Sequence, residues 1–357
     1  MIFDYKPGLE KIKPYSVEEK EWDSKLDANE SPNNLPPLVH ERVMNQIEYM
    51  AFNRYPDIGM RDLKALIAEA FAATVQNVLI GNGSSEVILA LCQTFGGPGR
   101  SIVFPVPSFS MYGIYAQLTD SQAVPVALNE DFSLSPETVV EAAEQSKAKL
   151  IILCNPNNPT GTIIPQEDIE YIVSKVQCPV VVDEAYYEFY GQSAVNLMKK
   201  YGHLIVARTL SKAYALAAIR VGYMLADAEI VSMVERVLMP YHVNALSLIT
   251  AQVVYQMRDE FMPVIGQIIE ERKRLSKSLA AMEGITVYPS ETNFILIKTE
   301  KAHKLSAYLS EKNIGIRDFS MTPLLTNCIR ITVGTSLEND RLCKIIKEFM
   351  NEKSLSL

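Results

Sequence analysis

A lysine and an aspartate in apolar stretches of the sequence are the side chains best suited to chemistry. Lys212 comes shortly after the apolar run HLIVAR and is flanked by small and apolar residues. Such surroundings remove water from an amine and lower its pKa towards that of a usable nucleophile, although a lone lysine is more often a solvated surface charge. Asp183 ends the apolar run PVVV, with no cation adjacent in the sequence. A buried carboxylate there needs a cation from elsewhere in the chain or from a ligand; the alternative is a solvated acid at a strand end.

Groups that can bind a phosphate also lie next to predicted strand ends. The run VLIG is followed by Gly83, Ser84 and Ser85, where a glycine turn opens a predicted helix. Glycine lets a ligand approach the backbone, and a helix N-terminus presents free N–H groups to an anion, although many such turns are purely structural. The segment around Lys212 adds two hydroxyls and a guanidinium, from Thr209, Ser211 and Arg220.

Together these groups meet the chemical needs of pyridoxal phosphate. Its aldehyde requires an amine, which Lys212 offers for a Schiff base. Its pyridine nitrogen stays protonated beside a carboxylate such as Asp183, and its phosphate is suited by hydroxyls, an arginine and a helix N-terminus. A dinucleotide site is disfavoured, because the glycine turn lacks the GxGxxG pattern and no acid lies between Glu86 and Asp120.

The strands that precede these residues predict an α/β fold. The runs at 149–154 (KLIILC) and 179–183 (PVVVD) are continuously apolar and rich in β-branched residues. Continuous rather than alternating apolar strands are typical of a parallel sheet that helices cover on both faces. In such sheets ligands bind beyond the carboxyl ends of the strands, and the polar residues above follow those ends.

Changes in the pattern along the chain predict three parts. Residues 1–37 are rich in proline and form an N-terminal arm. Residues 38–244 alternate helices and strands and form a large cofactor-binding domain with a mostly parallel sheet. Residues 245–357 have α+β character and form a smaller domain, against which the arm could pack. One long helix is predicted across residues 244–282.

The overall composition disfavours several classes of protein. The 357 residues carry a net charge of −8, which disfavours nucleic acid as a partner, because an acidic chain repels phosphate backbones. The absence of a run of ~20 apolar residues argues against a membrane span. The N-terminus lacks the apolar core of a signal peptide, so a cytoplasmic location is expected. The five cysteines form no CxxC pair and the four histidines are scattered, so neither disulfides nor a metal site is expected.

Longer motifs give the sequence a resemblance to a known family. Over almost its whole length the chain resembles the fold-type I pyridoxal-phosphate aminotransferases, and most closely the histidinol-phosphate aminotransferase family. The spacing between Ser211-Lys212 and Arg220, combined with NPTG and DEAY, is specific for the fold, whereas the remaining motifs are less specific for the substrate. The matching segments are KPY (13–15), LDANESP (26–32), RYPD (54–57), GNGSSE (81–86), PSFSMY (107–112), NPNNPTG (155–161), DEAYYEF (183–189), RTLSKAYALAAIRVGY (208–223) and NCIRITVGT (327–335).

The resemblance implies a catalytic set of Lys212, Asp183 and Tyr186. Lys212 would hold the cofactor and, once freed, carry a proton between the substrate carbon and the cofactor. Asp183 would pair with the pyridinium nitrogen, and Asn158 and Tyr186 would hydrogen-bond the ring oxygen. Ring and phosphate contacts would come from Gly83, Ser84, Ser85, Phe109, Thr209, Ser211 and Arg220.

The resemblance also implies a homodimer and an anion-binding arginine. Tyr55 would reach the phosphate bound by the neighbouring subunit, and Arg330 would grip the anionic end of the substrate. Tyr15, Asn29 and Arg317 are further substrate candidates, for which ordinary arm or surface contacts are the alternative. The sequence departs from the family pattern at three places, Phe109 for the commoner tyrosine, Ser85 for aspartate and Ala218 for glycine. These changes modestly weaken the substrate assignment and do not weaken the cofactor assignment.

The reaction implied is amino transfer from histidinol phosphate to 2-oxoglutarate, giving imidazole acetol phosphate and glutamate in histidine biosynthesis. Two other pyridoxal-phosphate enzymes remain alternatives. An aromatic amino acid aminotransferase would use the same chemistry on another donor. A threonine-phosphate decarboxylase would release carbon dioxide and need no 2-oxoglutarate. A regulatory domain fused to a DNA-binding module is disfavoured by the acidic charge.

Overall fold

The computed structural model describes residues 8–12 and 20–351. The strands are β1 (Ser24–Leu26), β2 (Val78–Asn82), β3 (Ser101–Val106), β4 (Gln122–Ala127), β5 (Leu150–Cys154), β6 (Val180–Asp183), β7 (Leu204–Thr209), β8 (Val221–Leu225), β9 (Thr286–Val287), β10 (Phe294–Lys298), β11 (Ile314–Asp318) and β12 (Cys328–Thr332). The helices are α1 (Pro37–Glu48), α2 (Arg61–Ala70), α3 (Gly83–Phe95), α4 (Met111–Leu118), α5 (Pro136–Ser146), α6 (Gln166–Lys175), α7 (Tyr187–Tyr190), α8 (Ala228–Glu235), α9 (Ala245–Gln256), α10 (Met262–Ala280), α11 (Ala302–Glu311) and α12 (Ser336–Asn351). Short 3-10 turns cover Leu9–Lys11, Val75–Asn77, Ala194–Lys199 and Arg258–Phe261.

The large sheet has seven strands in the order β2-β8-β7-β6-β5-β3-β4. Strands β3 to β7 run parallel, and β8 runs antiparallel to both of its neighbours. Every residue of β5, β6 and β7 is buried. This burial explains their continuously apolar sequences, since helices cover both faces. The predicted α/β fold with a mostly parallel sheet is confirmed.

Alternate residues of the central strands face two different helical layers, because side chains along a strand point to opposite sides. Val181 of β6 packs in one apolar cluster with Ile88 of α3 and Tyr112 of α4. Val182 packs in another cluster with residues of α5 and α6, such as Ile172. Asp183, two residues beyond Val181, therefore projects towards the layer of α3 and α4.

A second sheet of five strands has the order β1-β11-β12-β10-β9. Its first strand comes from the N-terminal segment, and Ser24 of β1 pairs in parallel with Ile314 of β11. Strands β10 and β12 are antiparallel neighbours. The segment after β1 leaves the small sheet and runs towards the large one, where the carbonyl oxygen of Ala28 accepts a hydrogen bond from Lys212.

Among residues 8–12 and 20–351, no helix is both long and apolar enough to cross a membrane.

The single helix predicted across 244–282 is wrong, because the chain forms two helices there. Helix α9 ends at Gln256, a 3-10 turn covers Arg258–Phe261, and α10 begins at Met262. Pro263 lies in the first turn of α10. Proline has no N–H to donate and is tolerated in the first turn of a helix but not in its interior, so Pro263 interrupts a continuous helix and lies at the start of a new one.

Candidate active site

One cavity of about 500 Å³ lies between the carboxyl ends of the large sheet's strands and the small sheet. It contains residues of both sheets and of the segment that follows β1. Thirteen of the residues predicted from the sequence line it: Asn29, Ser84, Ser85, Phe109, Asn158, Asp183, Tyr186, Thr209, Ser211, Lys212, Arg220, Arg317 and Arg330. The parallel strands explain this convergence, since their carboxyl ends meet at one edge.

The amine of Lys212 reaches into this cavity and donates a hydrogen bond to the carbonyl oxygen of Ala28 at 2.9 Å. Burial, together with the positive charge of Arg330, lowers the pKa of the amine to about 7. Both effects disfavour the protonated form. A large part of the amine is therefore unprotonated near neutral pH, which is the state that a nucleophile or a proton acceptor requires.

The carboxylate of Asp183 lies at the buried end of β6, with 3% of the residue exposed. Its Oδ2 accepts a hydrogen bond from the hydroxyl of Tyr112 at 2.8 Å, and its Oδ1 accepts one from the backbone N–H of Ala185 at 3.2 Å. Burial raises the pKa of Asp183 to about 6, and these two hydrogen bonds oppose that rise. Neither donor is charged, so the site suits a ligand that brings its own positive charge.

On another side of the cavity, hydrogen bonds join residues that are distant from one another in the chain. The side-chain amide of Asn29 donates to the hydroxyl oxygen of Tyr186 at 2.9 Å. The guanidinium of Arg330 donates to Asn158 Oδ1 at 2.7 Å and to the carbonyl oxygen of Asp27 at 2.6 Å. The segment after β1 thereby fixes the positions of side chains from both sheets.

At the predicted phosphate-binding end of the cavity, the backbone at the start of α3 packs closely against the guanidinium of Arg220. Gly83 has a φ of +80°, and a Cβ there would lie 2.7 Å from Nη2 of Arg220. A Cβ on Gly222 would lie 2.1 Å from the backbone nitrogen of Ser84. Arg220 also donates to the hydroxyl of Ser211 at 3.3 Å. Only glycines permit these approaches, which bring the start of α3, a hydroxyl and a cation together as an anion site.

Behind the cavity, a buried ion pair joins the ends of β6 and β7. Glu184 follows Asp183, and its carboxylate accepts hydrogen bonds from Nε and Nη2 of Arg208 at 3.0 and 2.8 Å. The hydroxyl of Ser193 and the N–H of Ala194 complete its partners. A buried ion pair needs this degree of hydrogen bonding to offset its desolvation.

Of the remaining predicted residues, Tyr55 and Gly83 do not line the cavity. Tyr55 does not line this cavity; its residue is 80% exposed, and its ring stacks on Tyr241 at 4.5 Å between centroids. Tyr15 lies outside the described residues. Gly83 acts through its backbone beside the cavity wall rather than by lining it.

The sequence does not predict several residues in and around the cavity. Tyr112, within PSFSMY, does not line the cavity but contacts Asp183, and the sequence does not predict this contact. The loop between β11 and β12 also contributes lining residues that carried no motif: Phe319, Thr322, Pro323, Leu324 and Leu325.

The donor set fits pyridoxal phosphate. Lys212 supplies an amine with a lowered pKa, and Asp183 supplies a buried carboxylate whose two hydrogen-bond donors are uncharged. Arg220 and the start of α3 supply an anion site. A side chain larger than glycine at position 83 would collide with Arg220 there. An amine, a carboxylate and an anion site in one cavity are the three features that this cofactor requires.

Comparisons with known proteins agree with this assignment. Residues 24–346 match the model of the family "Aminotransferase class I and II". The chain is 40% identical over 340 residues to the histidinol-phosphate aminotransferase of Caldanaerobacter subterraneus subsp. tengcongensis, covering 95% of this chain and 97% of the relative. It is also 40% identical to the enzyme of that name from Thermoanaerobacter sp. (strain X514), over 95% and 96% of the two chains.

A solved structure agrees with the fold. The histidinol-phosphate aminotransferase of Sinorhizobium meliloti, in complex with pyridoxal-5'-phosphate, superposes with a TM-score of 0.88 at 23% identity, over 98% of each chain. Together with the family model and the two relatives, this similarity identifies the chain. It belongs to the class I and II aminotransferases and, within them, to the histidinol-phosphate aminotransferases.

Proposed function

We propose that this chain is a pyridoxal-phosphate enzyme that transfers the amino group of histidinol phosphate to 2-oxoglutarate, giving imidazole acetol phosphate and glutamate in histidine biosynthesis. The observation that carries the proposal is a single cavity in which a buried amine and a buried carboxylate lie between two cationic ends. Arg220 forms one end, and Arg317 with Arg330 forms the other. The names of the curated relatives favour this donor over aromatic amino acids or threonine phosphate.

The residues around Lys212 and Asp183 hold the cofactor ring. The Lys212 amine would bind the cofactor covalently, and the Asp183 carboxylate would pair with its ring nitrogen. Asn158 and Tyr186 would donate hydrogen bonds to the ring oxygen, and Phe109 would contact the ring. When bound, pyridoxal phosphate supplies an electron sink for the pair that remains when a proton leaves the substrate carbon.

The phosphate of the cofactor would be held at the end of the cavity where α3 begins and where Arg220 lies. The backbone N–H groups of Ser84 and Ser85 donate to it, since they lie at the start of α3, and Gly83 allows the close approach. Arg220 supplies the positive charge. The hydroxyls of Thr209 and Ser211 complete the set.

Proton transfer is assigned to Nζ of Lys212. The Lys212 amine donates one N–H to the carbonyl oxygen of Ala28 at 2.9 Å. That hydrogen bond would hold the amine in place, with its lone pair free to accept a proton from the substrate carbon. Its lowered pKa leaves the amine unprotonated and able to do so.

Replacing Arg220 by alanine is expected to weaken retention of the cofactor about 10- to 100-fold, because a hydrogen bond to a charged group contributes about 1.5–3 kcal/mol. The dissociation constant for pyridoxal phosphate, measured by equilibrium dialysis, checks this. The exposed Arg236, changed to alanine, is the matched control. Equal cofactor affinity in the two variants would contradict the role of Arg220.

The opposite end of the cavity binds the anionic part of the substrate. Arg330 is 8% exposed, and its guanidinium lies 5.3 Å from the ring centroid of Phe294 and 5.8 Å from that of Phe319. These contacts orient the guanidinium, while Arg317 adds a second positive charge to the same wall. Asn29 and Tyr15 are proposed as further substrate contacts.

Replacing Arg330 by lysine is expected to raise KM for both histidinol phosphate and 2-oxoglutarate by about tenfold or more, because lysine keeps the charge but cannot form a bidentate contact. Initial rates at varied substrate concentration measure this change. Arg341→Lys, a substitution on helix α12 beside Asp23, is the control. An unchanged KM for both substrates would remove Arg330 from the substrate site.

We also propose a homodimer in which Tyr55 completes the neighbouring subunit's phosphate site. Tyr55 is exposed, and so are the large apolar side chains of Tyr49 and Phe52 nearby in the chain. Exposed apolar side chains grouped in one segment are typical of an interaction site. Light scattering of the purified protein tests the proposal, and a monomeric mass would overturn it.

Two coarser assignments accompany the proposed function. The arm (1–37), the large domain (38–244) and the small domain (245–357) remain the proposed division, and limited proteolysis at 244–245 would test it. A cytoplasmic location is proposed because it suits a biosynthetic enzyme. Cell fractionation tests that location.

The donor assignment is tested by supplying histidinol phosphate, phenylalanine and threonine phosphate separately to the holoenzyme. Glutamate formed from 2-oxoglutarate and carbon dioxide released are both measured. We expect glutamate with the highest kcat/KM from histidinol phosphate, and no carbon dioxide from threonine phosphate. Faster transfer from phenylalanine, or release of carbon dioxide without 2-oxoglutarate, would replace the proposed reaction by one of the two alternatives.

A further inference from the structure

Helix α4 carries two buried tyrosines whose hydroxyls contact two different residues of the proposed cofactor site. Tyr112 is fully buried and Tyr115 is 5% exposed. They are three positions apart in the sequence, which places them on one face of the helix, one turn apart. The hydroxyl of Tyr112 donates to Asp183 at 2.8 Å, and the hydroxyl of Tyr115 interacts with the side chain of Ser85.

The hydroxyl of Tyr112 is not explained by packing alone. Its ring packs edge to face with those of Phe104 and Phe109, at 6.3 and 5.6 Å between centroids. A phenylalanine would make the same ring contacts without the cost of burying a hydroxyl. The polar atom therefore acts on what it contacts, and that is the carboxylate of Asp183.

We propose that Tyr112 is a positioning residue, whose hydroxyl holds the Asp183 carboxylate ionised and oriented towards the ring nitrogen of the cofactor. The inference rests on the proposed function, since it assigns a role relative to that cofactor. It extends the site by one residue on a different element, 71 positions away from Asp183 in the chain.

The groups around Asp183 explain why this one donor has a large effect. Tyr112 and Tyr115 face it from α4, Cys154 faces it from the end of β5, and Glu184 and Tyr186 are its neighbours in its own segment. None of these groups is a cation. Against burial, which raises the pKa of Asp183 to about 6, only the hydrogen bonds from Tyr112 and from the Ala185 N–H act in the other direction. Burial also raises the pKa of Tyr112 well above its ordinary value, so the phenol keeps its proton and remains a donor.

The test compares cofactor binding by Tyr112→Phe and Tyr115→Phe across a range of pH. The dissociation constant for pyridoxal phosphate is measured from pH 5.5 to pH 8.5 for the wild type and both variants, and is expressed as a ratio to the wild type. The ratio removes the ionisation of the cofactor itself. Near-ultraviolet circular dichroism verifies that each variant is folded; each loses a single oxygen atom.

For Tyr112→Phe we expect weakening of about tenfold at pH 5.5 that disappears by pH 8.5, because loss of the donor raises the pKa of Asp183 by about one unit and more of the carboxyl is protonated at low pH. For Tyr115→Phe we expect a ratio that is the same at every pH, since Ser85 does not titrate.

The outcomes separate this inference from the proposed function. A ratio for Tyr112→Phe that does not vary with pH would show that Tyr112 is only structural, and would overturn the inference. A wild-type protein that binds no pyridoxal phosphate would instead overturn the proposed function. If Tyr112→Phe does not fold, the same titration is carried out on Asp183→Asn. The affinity of that variant for pyridoxal phosphate, relative to the wild type, must fall towards high pH, where the wild-type carboxylate is ionised. A ratio that does not vary with pH would contradict the requirement for an ionised Asp183.

Discussion

Replacing Lys212 by alanine is expected to abolish amino transfer, with a loss of about 10⁴-fold or more. The variant loses both the covalent attachment of the cofactor and the base at Nζ, and a positioned base alone contributes about 10²–10⁴. Glutamate formation from histidinol phosphate and 2-oxoglutarate measures the loss at saturating cofactor. Because the pKa of the wild-type amine is lowered to about 7, the wild-type rate should also fall as the pH drops below that value.

The matched control for this change is Lys199→Ala, which removes an exposed lysine from a 3-10 turn that does not line the cavity. It should retain the wild-type rate. Near-normal turnover by the Lys212 variant would remove Lys212 from the mechanism, and with it the assignment of the buried amine as the attachment point.

The second large effect is expected for Asp183→Asn, which keeps the size of the side chain but removes its charge. We expect kcat to fall about 10²- to 10³-fold, because breaking a buried ion pair on one side costs about 3–5 kcal/mol. The protonated ring nitrogen would lose its partner, and the electron sink would weaken. Steady-state rates with saturating cofactor measure the change.

Asp259→Asn is the control for the aspartate prediction, because Asp259 lies exposed in the turn before α10. Thermal unfolding of both variants shows whether a loss of rate reflects chemistry or folding. A folded Asp183→Asn protein with full kcat would contradict the pairing of this carboxylate with the cofactor.

Much of the fold was predictable from local sequence. Continuous apolar runs identify β5 and β6 because strands buried on both faces leave no polar positions. The polar residues that follow each run converge because parallel strands end at one edge. The site residues Lys212 and Asp183 were therefore within reach of reasoning about strand ends.

Features that depend on distant contacts were not predictable in this way. The contact between Tyr112 and Asp183 depends on how α4 crosses β6, which neither local sequence contains. The same holds for Asn29 and Tyr186, whose hydrogen bond joins positions 157 residues apart. Packing between elements sets these distances.

The break between α9 and α10 was missed for a different reason. Its signal is Pro263, which is present in the sequence but is not used in the prediction of one long helix. Proline is tolerated in the first turn of a helix and disfavoured in its interior. A proline inside a long periodic stretch should therefore be taken as a possible helix start.

The central claim is that this cavity exchanges an amino group with histidinol phosphate through a cofactor held by Lys212. The most direct measurement is the visible absorption spectrum of the holoenzyme before and after histidinol phosphate is added without any keto acid. We predict that the band of the lysine-bound cofactor is replaced by the band of its amine form, and that 2-oxoglutarate restores the first band. A bound cofactor whose spectrum does not respond to histidinol phosphate would contradict the claim.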